Sequence, residues 1–169
     1  TSVFNTFKVL QEASLEIQNT TGKIQDNYLR TTIGASSLKN TYYEFSLLYT
    51  PQATFDFYEP RVYGRYVYVP KRVSSYFGFE LNRNHTFTVD ATTSFVKYDE
   101  ENRQTYGIYI NPKYRFSNQL SLEYALEYTT KRNDRGRVGY DNSGIVFAER
   151  NREILQNTLT GKFAITNRM

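Results

Sequence analysis

Residues 105–129, TYGIYINPKYRFSNQLSLEYALEYT, limit what this chain can become. On the first arm Tyr106, Ile108, Ile110, Pro112, Tyr114 and Phe116 fall on even positions. Thr105, Gly107, Tyr109, Asn111, Lys113 and Arg115 fall between them. The second arm repeats the pattern, with Leu120, Leu122, Tyr124, Leu126 and Tyr128 against Ser121, Glu123, Ala125, Glu127 and Thr129. Successive side chains of a strand point to opposite faces, so alternation of period two predicts two strands. The Ser117-Asn118-Gln119 turn makes them an antiparallel hairpin. Each arm runs about ten to twelve residues, against roughly five or six for an ordinary strand. A tilted strand that crosses a bilayer needs about nine to eleven. Aromatics stand near the ends of the apolar set, as a membrane interface selects. A long hairpin in a soluble sandwich or barrel would show the same alternation.

Composition narrows the choice. The chain has 169 residues, with Tyr 16 and Phe 12, yet its mean hydropathy is −0.63. Such a mixture suits a barrel with an apolar outside and a wet inside. There is no Cys, so neither a disulfide framework nor a thiolate metal site is available. No apolar run is long enough for a transmembrane helix, and no signal peptide opens the chain. The net charge of +4 comes from 21 basic and 17 acidic side chains dispersed throughout, which is not a nucleic-acid footprint.

Taken in order, residues 6–18 form the first expected strand, and Asn19–Asp26 a polar loop. Strands follow at Asn27–Ser37 and at Tyr43–Thr50. Pro51–Pro70 is a long connection that holds short extended pieces. Arg72–Asn82 and Phe87–Phe95 are strands about the tight turn Arg83-Asn84-His85, and Asp99–Gln104 is a charged loop. After the hairpin, Thr130–Gly144 is basic and Gly-rich and reads as a loop. Ile145–Glu153 reads as an extension of the last strand, which carries Leu155, Leu159, Phe163 and Ile165. Thr166–Met169 reads as the start of another turn. Pro112 lacks an N–H, so it predicts a bulge or one unpaired side in its strand.

Long connections thus alternate with short ones across about eight long strands. That is the pattern of an antiparallel up-and-down transmembrane β-barrel, or of an arc of one. The whole of 1–169 is read as a single all-β barrel domain. The faces assign themselves. Tyr106, Ile108, Ile110, Tyr114, Phe116, Leu120, Leu122, Tyr124, Leu126 and Tyr128 are expected to face lipid, and Lys113, Arg115, Glu123 and Glu127 the lumen. Lys131, Arg132, Arg135 and Arg137 form a basic tip suited to lipopolysaccharide phosphates or a protein partner.

Three stretches carry a family likeness: FDFYEPRVYGRYVYVP, RFSNQLSLEYALEY and GIVFAERNREILQNTLTGKFAITNRM. They resemble the C-terminal barrel region of a Bacteroidota family of unknown function. Its longer members look like a carbohydrate-binding family-9-like domain followed by an outer-membrane barrel. The likeness covers about the last two thirds of the chain and implies a bacterial outer-membrane location. The N-terminal domain is absent here, and the chain ends in Asn-Arg-Met instead of an aromatic residue. The expectation is therefore an internal fragment of a longer protein. The family supplies no functional residue to transfer.

Catalytic and metal constellations are weak. His85 is the only histidine and sits at the tight-turn end, away from where a barrel hydrolase keeps its base. A lone His without Cys makes a poor transition-metal site. Glu123 and Glu127 lie about 13 Å apart along a strand, beyond the roughly 5–9.5 Å of a glycosidase pair. Asp99-Glu100-Glu101-Asn102 offers oxygen ligands for Ca²⁺ but no loop pattern for it. No cofactor is expected. The functional expectation is a non-enzymatic outer-membrane scaffold or channel component, linked to glycan handling or a larger envelope complex. Its partners would be membrane lipids, lipopolysaccharide and other outer-membrane proteins or lipoproteins. The alternative is a soluble all-β module, lipocalin-like or sandwich, that binds an apolar or glycan ligand.

Overall fold

A computed structural model of the chain describes residues 3–81, 85–141 and 144–165. The described residues are all strand, turn and irregular chain, without helix. In order the strands are β1 (Phe4–Ile17), β2 (Ile24–Ser37), β3 (Tyr42–Thr50), β4 (Thr54–Asp56), β5 (Val67–Val69), β6 (Arg72–Leu81), β7 (Phe87–Tyr98), β8 (Gln104–Arg115), β9 (Leu120–Asp141) and β10 (Gly144–Phe163). Eight of them form one sheet in the order β1-β2-β3-β6-β7-β8-β9-β10, and β4 pairs with β5. Every pairing is antiparallel. The sheet is an up-and-down arc that does not close, since β1 and β10 remain its two edges.

The eight expected strands are all present. Connections 18–23, 51–71 and 99–103 lie at one end of the sheet, and 38–41, 116–119 and the β6–β7 junction at the other. The tight turn expected at Arg83-Asn84-His85 falls partly outside the described residues, and the turn expected at Thr166–Met169 wholly outside them. Pro112 makes no bulge. Ile110↔Leu126 and Lys113↔Glu123 keep one register, while Asn111 and Pro112 have no partner residue on the β9 side. The missing N–H therefore interrupts one ladder and leaves its register unchanged.

One expectation is overturned. Thr130–Gly144 is not a loop: β9 runs on to Asp141, and β10 begins at Gly144. The two form a long ribbon, with Arg135↔Glu149 and Asp134↔Arg150 directly opposed. Register shifts between Val146 and Phe147 and between Arg150 and Arg152 break the alternation. A bulge inserts an extra residue and resets which face each side chain meets, so a period-two reading loses the strand there. Ion pairs take the place of apolar contacts, with Arg135 Nε 2.7 Å from Glu149 and Arg152 Nη2 2.7 Å from Asp134.

No hydrophobic side chain among the described residues is buried. The most enclosed side chains are Thr50 at the end of β3 and Pro60 and Pro70 in connection 51–71. Thr50 Oγ1 has no hydrogen-bond partner there. A buried hydroxyl left unpaired carries a desolvation cost of about 1–3 kcal/mol. We expect Thr50→Val to raise the midpoint of thermal unfolding, read by loss of β circular dichroism. A lowered midpoint would mean that the hydroxyl has a partner.

Candidate functional site

The register sorts the chain onto two faces. Residues directly opposite each other in a ladder share a face. One row runs Val9, Ile33, Phe45, Phe77, Thr93, Ile108, Tyr128, Leu155 across all eight strands. Another runs Thr6, Ser36, Tyr42, Glu80, Asp90, Asn111 on the opposite side. In β3 the alternation reaches the exposure of single residues: Tyr43, Phe45, Leu47 and Tyr49 are each exposed, while Tyr42, Glu44, Ser46 and Leu48 between them are partly shielded. Crowding of the polar side follows from curvature, since side chains converge on a concave face and splay on a convex one. Shallow cavities lie along the concave side. One reaches from Glu44 on β3 through Tyr76 and Glu80 on β6 to Asp90 on β7 and Tyr109 on β8. A soluble domain is the reverse of this, with apolar side chains shielded and polar ones wet.

The apolar band does not follow the ladder rows. Its middle on β1, between Phe7 and Ile17, is at Glu12. From there the register leads through Arg30, Leu48, Ser74, Val96, Thr105 and Lys131 to Arg152 on β10. On the convex face of β10 the exposed apolar side chains are Leu155, Leu159 and Phe163. Its middle, Leu159, is 159 − 152 = 7 residues further along the strand. Seven residues over seven strand steps is one residue per step. At about 3.3 Å along for about 4.8 Å across, the band crosses the strands obliquely by about 35°. Upright, its height along Leu120–Tyr128 is about 22 Å. Aromatics mark both margins: Tyr49, Phe95 and Tyr106 on the side of connection 51–71, and Phe7, Phe87, Tyr114 and Phe163 on the other.

The residues assigned from sequence separate accordingly. Tyr106, Ile108, Ile110, Tyr114, Leu122, Leu126 and Tyr128 lie on the convex face by register, whereas Lys113, Arg115, Glu123 and Glu127 lie on the concave one. Phe116 and Leu120 flank the turn and are exposed. Tyr124 donates its hydroxyl to Asn157 Oδ1, so two polar groups on the apolar face satisfy each other. On the concave side Asn111 donates to Glu123 Oε1 at 2.9 Å and Lys162 lies 3.8 Å from the same carboxylate. Across the ladder Glu123 meets Lys113 and Thr160, and Glu127 meets Tyr109 and Gln156. Neither glutamate has a carboxylate opposite it. Tyrosine rings also cover glycines here, with Tyr42 over Gly34 and Tyr76 over Gly78, where an added Cβ would meet the hydroxyl at 2.7 and 2.8 Å.

Beyond the band the charges knit two connections to the ribbon. Glu100 accepts from Arg103 at 3.0 Å and from Arg135 at 2.7 Å. Hydrogen bonding to Glu149 is the main reason that the Arg135 guanidinium is held more firmly protonated than usual; burial opposes this and the Glu100 charge adds to it. Arg137 stacks on the Tyr140 ring at 4.4 Å. The cationic tip seen in the sequence is therefore partly neutralised by carboxylates. Glu100, which sequence reading treated as a calcium candidate, is occupied by two arginines. Among the described residues no group of three His, Cys, Asp or Glu is placed to hold a metal ion.

Connection 51–71 holds the short extended pieces expected of it, paired as β4 and β5. Asn27, largely buried, donates its amide to the Gln52 carbonyl at 3.1 Å and accepts from the Gln52 N–H at 3.1 Å. Lys23 Nζ sits 4.4 Å from the Phe55 ring and 4.6 Å from the Tyr66 ring. At the far end Glu59 Oε1 accepts from the Arg137 N–H at 2.9 Å. Asp56 Oδ1 turns the chain between these points by accepting from the N–H groups of Tyr58 and Glu59.

Fold and faces together define the chain as an antiparallel up-and-down β-arc with a convex apolar and a concave polar side. The family described as Domain of unknown function (DUF5916) matches residues 1–169, and the chain belongs to that family. No curated protein and no solved structure matches the chain.

Proposed function

We propose that the chain is a wall segment of an outer-membrane β-barrel, acting as a non-enzymatic scaffold or channel component. The oblique apolar band carries this reading. Transmembrane barrels tilt their strands about 35–45° and wear an apolar belt roughly 25 Å tall between aromatic girdles. The band here has both dimensions, and a slab of hydrocarbon is the environment that draws such a line across a sheet. The convex face is then the lipid face and the concave face lines water. In hydrocarbon an unpaired sheet edge is not tolerated, so β1 and β10 must meet further strands to complete the wall. The likeness to a Bacteroidota envelope family supports the outer membrane as the location, with glycan handling or a larger envelope complex as the setting. Lipopolysaccharide phosphates suit the cations just beyond the band, of which Arg132, on the convex side by its pairing with Gln104, carries this part of the proposal.

Solubility tests the reading directly. The protein is expected to aggregate in plain buffer and to be monodisperse and β-rich in detergent micelles. Monodisperse behaviour without detergent would overturn the membrane assignment and leave the soluble ligand-binding module in its place.

A further inference from the structure

We infer that connection 51–71 is a strap across the mouth of the arc that sets the size of solute able to enter the concave side. This rests on the membrane-wall reading above. Tyr58 and Glu59 are neighbours in the chain. The Tyr58 hydroxyl lies 3.5 Å from the Gln25 amide on β2, and Glu59 holds the Arg137 N–H on β9. In the sheet order, β2 and β9 are five strand spacings apart. Laid flat, that separation is about 24 Å. A dipeptide joins them because the sheet curves and the strap runs from one flank to the other.

The strap is anchored along its length. Asn27 clamps its start, and Lys23 lies over Phe55 and Tyr66. Phe55, Phe57, Tyr66 and Tyr68 form a connected aromatic cluster, with ring centroids 5.1 to 6.2 Å apart. Short strands β4 and β5 stiffen its two limbs. A cavity between the strap and the first hairpin's loop is lined by Gln18, Thr20 and Thr21 on one side and by Phe57, Tyr58 and Arg61 on the other. At the β9 side the strap meets an edge that β8 no longer covers, because the β8 ladder ends at Gln104↔Arg132. Glu59 supplies the acceptor that a β8 carbonyl would have supplied lower down. Gly136 lies beside this contact, where a Cβ would touch Glu59 Oε1 at an ordinary 3.6 Å and crowd the Arg150 guanidinium at 3.1 Å. A connection tied at both flanks and stiffened between them behaves as a fixed bar, whereas a mobile surface loop would leave the opening unobstructed.

The test uses the protein that carries these residues together with the strands that complete the wall, reconstituted into planar bilayers and liposomes. Glu59→Ala releases the far anchor, and a second variant replaces residues 53–68 by a short Gly-Ser linker. Both are expected to raise single-channel conductance severalfold and to admit larger neutral sugars in liposome swelling. Since the chain has no Cys, Glu59→Cys gives a single thiol at the mouth. A bulky maleimide attached there is expected to reduce conductance below that of the unlabelled variant. Protein that inserts but shows the same conductance and size cut-off with and without the strap overturns this inference and leaves the wall reading intact. Protein that fails to insert at all sinks the wall reading, and the strap inference with it.

Discussion

Ile110→Arg is expected to cost about 2–4 kcal/mol of folding stability in bilayers or detergent, read from urea unfolding followed by tyrosine fluorescence. Ile110 lies near the middle of the apolar set on β8, with Ala91 and Leu126 opposite it on the convex face. A guanidinium at that depth must drag water or headgroups into hydrocarbon. Phe116→Arg, at the margin of the same set, is expected to cost only about 0–1 kcal/mol, since the penalty falls away toward the interface. Glu127→Gln on the concave face should be nearly neutral, and Leu122→Arg should fall between the two arginine variants. The gradient is the informative part. Equal losses for Ile110→Arg and Phe116→Arg would remove the slab that the band is taken to trace.

The second large effect is local. Asn27→Ala deletes one amide that serves both the N–H and the carbonyl of Gln52 in a largely buried position. Each buried backbone group left without a partner costs about 1–3 kcal/mol. The strap should lose its first anchor while the eight-stranded ladder persists. Limited proteolysis is then expected to cut within residues 51–71 of the variant well before it cuts the wild type. β circular dichroism should stay close to the native signal. A variant as resistant as the parent would show that the aromatic cluster alone holds the strap.

Much of the wall could be read from the residues alone. Alternation such as Phe45 against Glu44 and Ser46, or Leu122 against Ser121 and Glu123, assigns strand and face together. A pleated backbone offers each side chain only two directions. The paired faces of β8 and β9 followed from the Ser117-Asn118-Gln119 turn, which brings Tyr114 opposite Leu122. The ribbon beyond Thr129 was not legible. Gly136, Gly139, Asn133 and Asp134 look like loop formers, and two bulges reset the period within β9 itself. What holds that ribbon is a set of cross-strand charge pairs, Arg135 with Glu149 and Asp134 with Arg152. Paired charges leave no periodic trace, because only the partner gives each its meaning.

The strap was legible as a connection but not as a bridge. Nothing in FDFYEPRVYGRYVYVP says that Glu59 will find the Arg137 N–H. That contact exists because β8 stops short of β9's upper edge and leaves a donor uncovered, which is a property of strand lengths far apart in the chain. Short of the ribbon beyond Thr129, the sequence by itself determined the wall strands and their two chemically opposed faces through local alternation, and their order through the short turns between them. Tertiary structure decided the inter-strand stagger that tilts the apolar band, the side toward which the sheet curves, and the crossing of its mouth. Those depend on which residues meet across the ladder, and pairing at long range is written in no single stretch of the chain.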